Sequence, residues 1–357
     1  MKKIFGLPLI LSLALALGAA GSLPAQPYLY YALGTLGGGT SYAFGINASG
    51  QVVGESQTTG GQTRAFLWTA GGGMQNLGTL GGSFSRAYDI NDQGQIVGAA
   101  TGSSGPVRAF LYELGEMKPL GDSGVESFAF GINSSGQVAG RTGEDINMKA
   151  ALLPPAGGYT LLGANPPSEA AAINAAGLVV GTLTNESGFC RAFWWTPASG
   201  VNDLGSWGDE YSSFAYAVNA YGQVVGEAET ADGIRAFRAA AGTPGLQDLG
   251  ALGGSDSYAL GINNLGQVVG ISLTSSGDYH AFLYSGAAML DLNDLVQGLP
   301  EGVYLQSARD INDQGAIVGY DSDNRAFLLL VPLPSTLFLM ITGLMALVAL
   351  GRRRQKK

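Results

Sequence analysis

The sequence predicts an all-β fold, a seven-bladed β-propeller, from three observations. A phrase that reads GINASGQVVG in its first copy (residues 45–54) recurs along the chain at steps of 41 to 49 residues. Each copy contains four short segments rich in aromatic and β-branched residues, separated by glycine-rich loops. A fragment of a further copy precedes the first one. Four antiparallel strands in each repeat of this length are typical of propeller blades.

The first two strands of each copy are joined by an Asn-x-x-Gly turn. Asparagine favours the start of a type I turn, and glycine accepts the left-handed angles that follow, so a tight hairpin is predicted there. In the first copy we expect strands at residues 41–47, 51–57, 63–69 and 74–80. The turn asparagines of the seven copies are Asn47, Asn91, Asn133, Asn174, Asn219, Asn263 and Asn312.

The last copy lacks a fourth strand, because the chain runs directly from residue 330 into a different kind of segment. Residues 31–38 (YALGTLGG) stand before the first copy and match LGTLGG at residues 77–82. We expect this N-terminal strand to complete the last blade, which closes the ring and removes a free edge. The propeller is therefore predicted to occupy residues 26–330.

The N-terminal residues 1–25 have the order of a secretory signal peptide. Lys2 and Lys3 precede an apolar run to Ala20, and small residues follow up to Ala25. This order predicts export and removal of the segment, with cleavage after Ala25 preferred and cleavage after Ala20 left open.

The C-terminal residues 331–357 form a second targeting segment with a predicted transmembrane helix. The apolar stretch of residues 336–351 reaches only ~24 Å, which makes it a marginal span. The cations that follow predict a cytoplasmic end, and therefore a body outside the inner membrane. The segment's proline motif and basic tail are Val331, Pro332, Leu333, Pro334, Ser335, Arg352, Arg353 and Arg354.

This tail resembles the PEP-CTERM sorting signal, in a VPLP variant that has Leu333 where the usual motif has glutamate. The resemblance implies an exosortase-type processing enzyme as partner, transient anchoring in the inner membrane, and release to the cell surface or extracellular matrix of a Gram-negative bacterium. An ordinary C-terminal anchor is the alternative.

Composition narrows the class further. The chain has 57 glycines, 13% charged residues and a net charge of −9, so it is too apolar for disorder and carries no general affinity for nucleic acid. The single cysteine, Cys190, excludes an internal disulfide, and a buried thiol is preferred to a reactive one.

The repeat resembles the HAF repeat family of extracellular bacterial proteins, named for a His-Ala-Phe in each unit. The resemblance implies export and a propeller-like body and supplies no established activity. Here only His280-Ala281-Phe282 keeps the name. The first residue of the triplet is a cation in every copy: Arg64, Arg108, Lys149, Arg191, Arg235, His280 and Arg325.

These seven cations are the candidate binding residues, since equivalent positions in a closed propeller form a ring on one loop face. Such a ring would suit an anionic polysaccharide or an acidic partner. The alternative is that each cation caps a carbonyl, stacks on an aromatic ring or pairs with an acid of its own blade. The second interpretation is favoured, because a feature repeated in every blade usually serves the blade.

The sequence shows no catalytic set, and no cofactor or metal is expected. One histidine cannot build a histidine-rich metal site, and no nucleophile motif surrounds Cys190. Residues 89–94 and 310–315 have the oxygen spacing of a calcium loop, but the first position is Gly or Ala in the other copies, so turn chemistry explains them.

Two functions follow as hypotheses. The preferred one is a non-enzymatic surface or matrix protein that binds extracellular polysaccharide or another surface protein. The competing one is a polysaccharide-cleaving glycosidase or lyase, whose carboxylates would come from distant blades. It requires carboxylates near the central axis, at least one of them holding a proton near neutral pH; an axis of only Gly, Ala and hydroxyls would exclude it.

Overall fold

The computed structural model describes residues 27–332, and these form seven blades, six with four antiparallel strands and one with a fifth strand added. The predicted all-β propeller is thereby confirmed. The signal peptide and, apart from Val331 and Pro332, the C-terminal sorting segment lie outside the described residues. Between residues 27 and 332, no helix has the length and apolarity needed to span a membrane.

The strands are numbered in chain order. The first, β1, is Tyr28–Ala32. Blade 1 contains β2 (Gly37–Ile46), β3 (Val52–Thr58), β4 (Thr63–Thr69) and β5 (Gly73–Asn76). Blade 2 contains β6 (Gly81–Ile90), β7 (Ile96–Gly102), β8 (Val107–Glu113) and β9 (Glu116–Pro119). Blade 3 contains β10 (Glu126–Ile132), β11 (Val138–Gly143), β12 (Lys149–Leu152) and β13 (Thr160–Leu161). Blade 4 contains β14 (Ser168–Ile173), β15 (Val179–Thr184), β16 (Cys190–Thr196) and β17 (Gly200–Gly205).

Blade 5 contains β18 (Ser213–Val218), β19 (Gln223–Thr230), β20 (Gly233–Ala240) and β21 (Thr243–Asp248). Blade 6 contains β22 (Gly253–Ile262), β23 (Val268–Thr274), β24 (Tyr279–Ser285) and β25 (Ala288–Asp291). A short strand, β26 (Val296–Gln297), follows, and blade 7 then has β27 (Leu305–Ile311), β28 (Ile317–Asp321) and β29 (Ala326–Leu330). Two 3-10 turns occur in connections, at Asp145–Asn147 and Leu292–Asp294.

The first strand of each blade is the innermost one. Each first strand contacts the first strands of both neighbouring blades, from β2 with β6 around to β27 with β2. The seven first strands therefore enclose a central channel, and the later strands of each blade lie progressively further from it.

The ring closes in blade 7, as predicted. The N-terminal strand β1 pairs antiparallel with β29, and Tyr30 donates a hydrogen bond from its hydroxyl to Asp321 at 2.9 Å. Strand β26 adds a parallel neighbour on the other side of β1, so this blade has five strands.

The predicted limits of the closing strand were wrong. The strand is Tyr28–Ala32, whereas the LGTLGG phrase is the connection between blades, and Gly37 already belongs to the next inner strand. The fourth strand of blade 1 likewise ends at Asn76, because Gly78 has a positive φ of 80° and the Asn76 side chain accepts a hydrogen bond from its amide.

The core lies between the blades. The phenylalanine of the triplet is fully buried in six blades, at Phe66, Phe110, Phe193, Phe237, Phe282 and Phe327, and Ala151 takes its place in blade 3. This pattern explains why the triplet repeats: its aromatic residue fills the space between adjacent sheets.

The turn asparagines form a closed ring of hydrogen bonds, which is called the Asn ring below. Each side-chain amide donates to the backbone carbonyl of the equivalent asparagine in the next blade, at 3.0 to 3.1 Å, and Asn312 completes the circle by donating to Asn47. Each side-chain oxygen also accepts amide hydrogens of its own turn, as Asn133 does from Ser135 and Gln137. The residue therefore shapes its turn and fastens two blades together.

Both described ends of the chain lie on the Asn-ring face. Val331 lies beside Gly315 of the last Asn turn, and Leu29 at the start of β1 pairs with Leu330 at the end of β29. The opposite face carries the loops between second and third strands.

Candidate binding cavity in the central channel

A β-bulge in every first strand directs one side chain into the channel. In blade 1 the register shifts between Ala43 and Gly45, and Phe44 is the extra residue. The same shift occurs in the other six blades. Bulges redirect side chains in this way and are frequent beside binding sites. The seven bulge residues are Phe44, Tyr88, Phe130, Ala171, Tyr216, Leu260 and Arg309.

The bulge explains a glycine of the repeated phrase. A Cβ on Gly54 would overlap the backbone carbonyl of Tyr42 in the facing first strand, and the equivalent glycine of every blade has the same contact. Only glycine allows the second strand to approach the distorted first strand so closely. The glycine of the QVVG phrase therefore lies where the second strand passes closest to the bulged first strand.

On the side of the bulge residues away from the Asn ring, each second strand contacts the first strand of the next blade. This contact is an ion pair in two places. Arg86 binds Glu55 through two hydrogen bonds of 2.6 and 2.8 Å, and Arg141 binds Glu169 at 3.0 Å. Between blades 7 and 1 it is an aromatic pair, with the rings of Tyr320 and Tyr42 packed edge to face at 5.0 Å.

Arg309 differs from these two arginines. Its guanidinium lies over the Phe44 ring, 5.4 Å from the ring centre, and it makes no hydrogen bond or ion pair with any residue between 27 and 332. Burial lowers the pKa of this guanidinium, and the neighbouring groups that act on it are the hydroxyls of three tyrosines (Tyr320, Tyr216 and Tyr88) and the cation of Arg86. Arg309 is thus a half-buried cation without a carboxylate beside it.

Glu227 is the complementary case. It occupies the second-strand position that holds Glu55 in blade 1, but it has no ion pair within the described part of the chain. Burial raises the pKa of this carboxyl to about 7, the neighbouring Tyr216 hydroxyl opposes the rise, and Glu229 adds to it. Near neutral pH this group can donate a proton or accept one.

Two aspartates lie on the Asn-ring side of the bulges. Asp310 accepts hydrogen bonds from the amides of Ile46 and Ile311, and Asp89 accepts them from Ile132 and Ile90. Burial raises the pKa of Asp310 to about 7 and also raises that of Asp89. In each aspartate, one carboxyl oxygen accepts from an amide of the neighbouring blade and the other from the next amide of its own strand. Residues 27–332 contain no group of three or more side chains suited to a metal ion.

These side chains line a cavity of about 780 Å³ in the channel. That volume is within the ~300 to 1,000 Å³ of small-molecule sites. Its walls combine aromatic rings with Arg309, Glu227 and the two aspartates, and also with Glu169. Ser307 lines it too, and its fully buried hydroxyl has no hydrogen-bond partner among residues 27–332. The axis therefore carries carboxylates, which is the condition that the enzyme hypothesis required.

None of the seven cations from the triplet lines this cavity. Arg64 donates to the carbonyl of Ser83 in the first strand of the next blade. Arg108 donates to the carbonyl of Gly121, and Arg191 to those of Asp209 and Tyr211, all in connections that lead into the next blade. His280 contacts Asp291 at 2.6 Å. Lys149 and Arg235 are half-buried and Arg325 is exposed. The structure places these residues at equivalent points on the third strands, away from the axis.

Sequence reasoning did not single out the bulge residues. The signal was present three positions before each turn asparagine, where Arg309 replaces an aromatic or small residue. Nothing local marks that position as facing a channel, because alternation along a strand breaks at a bulge.

Cys190 is half-buried, and burial raises the pKa of its thiol.

Fold and cavity together define a closed seven-bladed propeller with a polar, aromatic-lined channel. No family model matches the chain, and no curated protein matches it. Solved structures that are similar include a puromycin-hydrolysing peptidase of Mycobacterium tuberculosis, with 12% identity, a TM-score of 0.56, and coverage of 84% of this chain and 53% of that one.

A second similar structure is virginiamycin B lyase of Staphylococcus aureus, with 11% identity, a TM-score of 0.51, and coverage of 85% of this chain and 100% of that one. A puromycin hydrolase matches at 15% identity with a TM-score of 0.52, over 84% of this chain and 52% of that one. This chain thus spans about half the length of the two puromycin-cleaving enzymes. At these identities the likeness shows the fold alone.

Proposed function

We propose that the protein is a binding module whose ligand occupies the central cavity. The observation that carries the proposal is a pair of charged groups in one channel, the guanidinium of Arg309 and the carboxyl of Glu227, neither of which has an ion-pair partner among the described residues. Half-buried charged groups without partners are costly to a fold, and they persist where a ligand supplies the partner. The closed ring holds them in fixed positions before the ligand arrives, which favours binding.

We place this module outside the cell, attached to the surface or matrix, with extracellular polysaccharide or a surface protein as partner. The order of the two terminal segments and the resemblances to HAF repeats and to sorting tails support this location. Because both described ends lie on the Asn-ring face, a tail held in the membrane would turn that face toward the lipid. The loop face would then point away from the cell.

A polysaccharide-cleaving enzyme is the second candidate, favoured by one observation. Glu227 has a pKa of about 7, the value expected of a group that transfers protons near neutral pH. Glu169 lines the same cavity, although Arg141 holds it in an ion pair. Incubating the protein with the host's exopolysaccharide separates the two candidates: new reducing ends or unsaturated products indicate the enzyme, and unchanged polymer that is retained by the protein indicates the binding module.

The cavity itself is tested by filling it. Blade 4 has the smallest bulge residue, Ala171, and Ala171→Trp would project an indole into the channel without removing any polar group. Ala175→Trp, at an exposed turn position of the same blade, is the matched control. We expect the first variant to lose binding to exopolysaccharide fragments in calorimetric titrations and the control to keep it. Equal binding by both variants would place the ligand elsewhere.

A further inference from the structure

We infer that the ligand carries a carboxylate, that Arg309 receives it, and that the ligand is a uronic acid, either free or as the terminal unit of an acidic polysaccharide. The inference rests on the proposed function, because it assumes that the cavity is the binding site. It assigns a chemical class to the ligand and a role to one residue of the channel.

The chain itself shows how its channel arginines are normally satisfied. Arg86 and Arg141 also have their guanidinium groups over aromatic rings, at 4.9 to 5.9 Å from the ring centres, and each is bound by a glutamate of the adjacent blade. Arg309 has the same aromatic contact, but no glutamate of residues 27–332 forms an ion pair with it. A ligand carboxylate would supply the missing partner, and a planar guanidinium binds a carboxylate through two parallel hydrogen bonds.

The surroundings of Arg309 select against a more highly charged anion. Glu169 lines the cavity but is paired with Arg141. Glu227, Asp89 and Asp310 line it without such a pair, so a phosphate with two negative charges would meet these three carboxyl groups with only Arg309 to offset them. A single carboxylate balances the single cation. The three acids are also those whose pKa values burial raises, which reduces their repulsion of a monoanion near neutral pH.

The other walls of the cavity suit hydroxyl groups on a compact ring. Tyr88, Tyr216 and Phe130 line the cavity with aromatic rings, and a sugar ring can pack against such surfaces. The buried Ser307 hydroxyl lies two residues before Arg309 on the same strand and has no hydrogen-bond partner in the part of the chain that the structure describes. Glu227, which exchanges its proton near neutral pH, can donate to or accept from a ligand hydroxyl. An aliphatic or purely aromatic acid would leave these groups unsatisfied.

The experiment compares ligands that differ only at the carboxylate. Galacturonic acid, glucuronic acid and short oligouronates are titrated calorimetrically into the purified protein, together with the methyl ester of galacturonic acid, galactose and inorganic phosphate. We expect the uronates to bind about 10- to 100-fold more tightly than the neutral ester and galactose, as a charge-assisted bidentate contact implies. Phosphate should bind weakly.

Variants then assign the contact to one residue. Arg309→Gln should bind acid and ester equally, Arg309→Lys should keep part of the preference, and Arg325→Gln, which changes an exposed cation of the same blade outside the cavity, should behave as the unaltered protein. Circular dichroism checks that each variant is folded. If Arg309→Gln does not fold, Arg309→Lys still tests the contact, because it keeps the charge and removes the bidentate geometry.

Three outcomes would overturn the inference: equal affinity for acid and ester, an unchanged preference in Arg309→Gln, or no uronate binding at all. The proposed function fails separately. If neutral sugars or exopolysaccharide still bind and Ala171→Trp abolishes that binding, the cavity remains the site and only the carboxylate assignment is lost. If Ala171→Trp changes nothing, the cavity is not the site.

Discussion

Replacing one member of the Asn ring by aspartate isolates the bond between blades from the turn that the same residue shapes. Asn133→Asp keeps an oxygen that can accept the amide hydrogens of Ser135 and Gln137, at 3.0 and 2.9 Å. It removes the two hydrogen bonds that the amide donates, to Asn174 at 3.0 Å and to Gln137 at 2.8 Å. The position is 3% exposed, so the new carboxylate would also be buried against a carbonyl oxygen.

The magnitude follows from those contacts. Two lost hydrogen bonds contribute about 1 kcal/mol each, and the desolvated carboxylate facing an oxygen adds about 1 to 3 kcal/mol. We expect the free energy of unfolding in urea near neutral pH to fall by about 3 to 5 kcal/mol. The loss should shrink as the pH is lowered, because a protonated aspartate can donate one of the missing bonds.

Asn185→Asp is the matched control. Asn185 begins an Asn-x-x-Gly turn on the opposite face, where its oxygen accepts from Ser187 at 3.0 Å and from Phe189 at 2.9 Å, and no described residue of another blade accepts from its side chain. The control should lose less than about 0.5 kcal/mol. If both variants lost the same stability, the turn alone would explain the asparagines and the ring would contribute nothing to closure.

Three further predictions concern the channel and the closing strand. Glu227→Gln should reduce the pH dependence of stability. The folded pKa of about 7 exceeds the ordinary 4.5, so the carboxyl costs stability as pH rises between those values, by about 2 kcal/mol after allowing for its partial exposure, while Asp310, whose pKa is also raised to about 7, supplies the dependence that remains. Urea unfolding across that range measures the reduction against an exposed Glu186→Gln control. Gly226→Ala should cost about 3 kcal/mol, because the added Cβ overlaps the Phe214 carbonyl, whereas Gly71→Ala, where a Cβ meets open space, should be nearly neutral in thermal unfolding. Deleting residues 28–32 should expose the edge of β29 and produce oligomers in light scattering, and a monomer as stable as the intact chain would contradict the closing role of β1.

The architecture was predictable because it is written as a repeat. A period of 41 to 49 residues with four strands fixes the blade, and the missing strand of the last copy indicates closure from the N-terminus. The exact limits were not predictable, since the LGTLGG phrase occurs at equivalent places whether it forms a strand or the connection after it. The positive φ of Gly78, which ends the strand before the phrase, is visible only in the backbone of the structure.

The candidate site was largely hidden from sequence reasoning. Regular alternation along a strand would place Phe44 and Arg309 on a sheet face, whereas the bulge turns them toward the axis. In the sequence the bulge is indicated only by a residue of another strand, the glycine of the second strand that lies against it. The contact between Glu55 and Arg86 joins residues from two repeats, so no local pattern contains it. The cations of the triplet are conspicuous in the sequence because every repeat has one. Arg309 is not, because it is the single cation at a position that is aromatic, Ala or Leu in the other six repeats.

The claim that the central channel is the binding site is tested most directly by a crystal structure of the protein grown with acidic oligosaccharides. We expect sugar density inside the cavity, with a carboxylate on the guanidinium of Arg309 and a hydroxyl near Glu227. Density confined to the loop face beside Arg64, Arg191 and the other triplet cations, with the channel free of ligand, would contradict it.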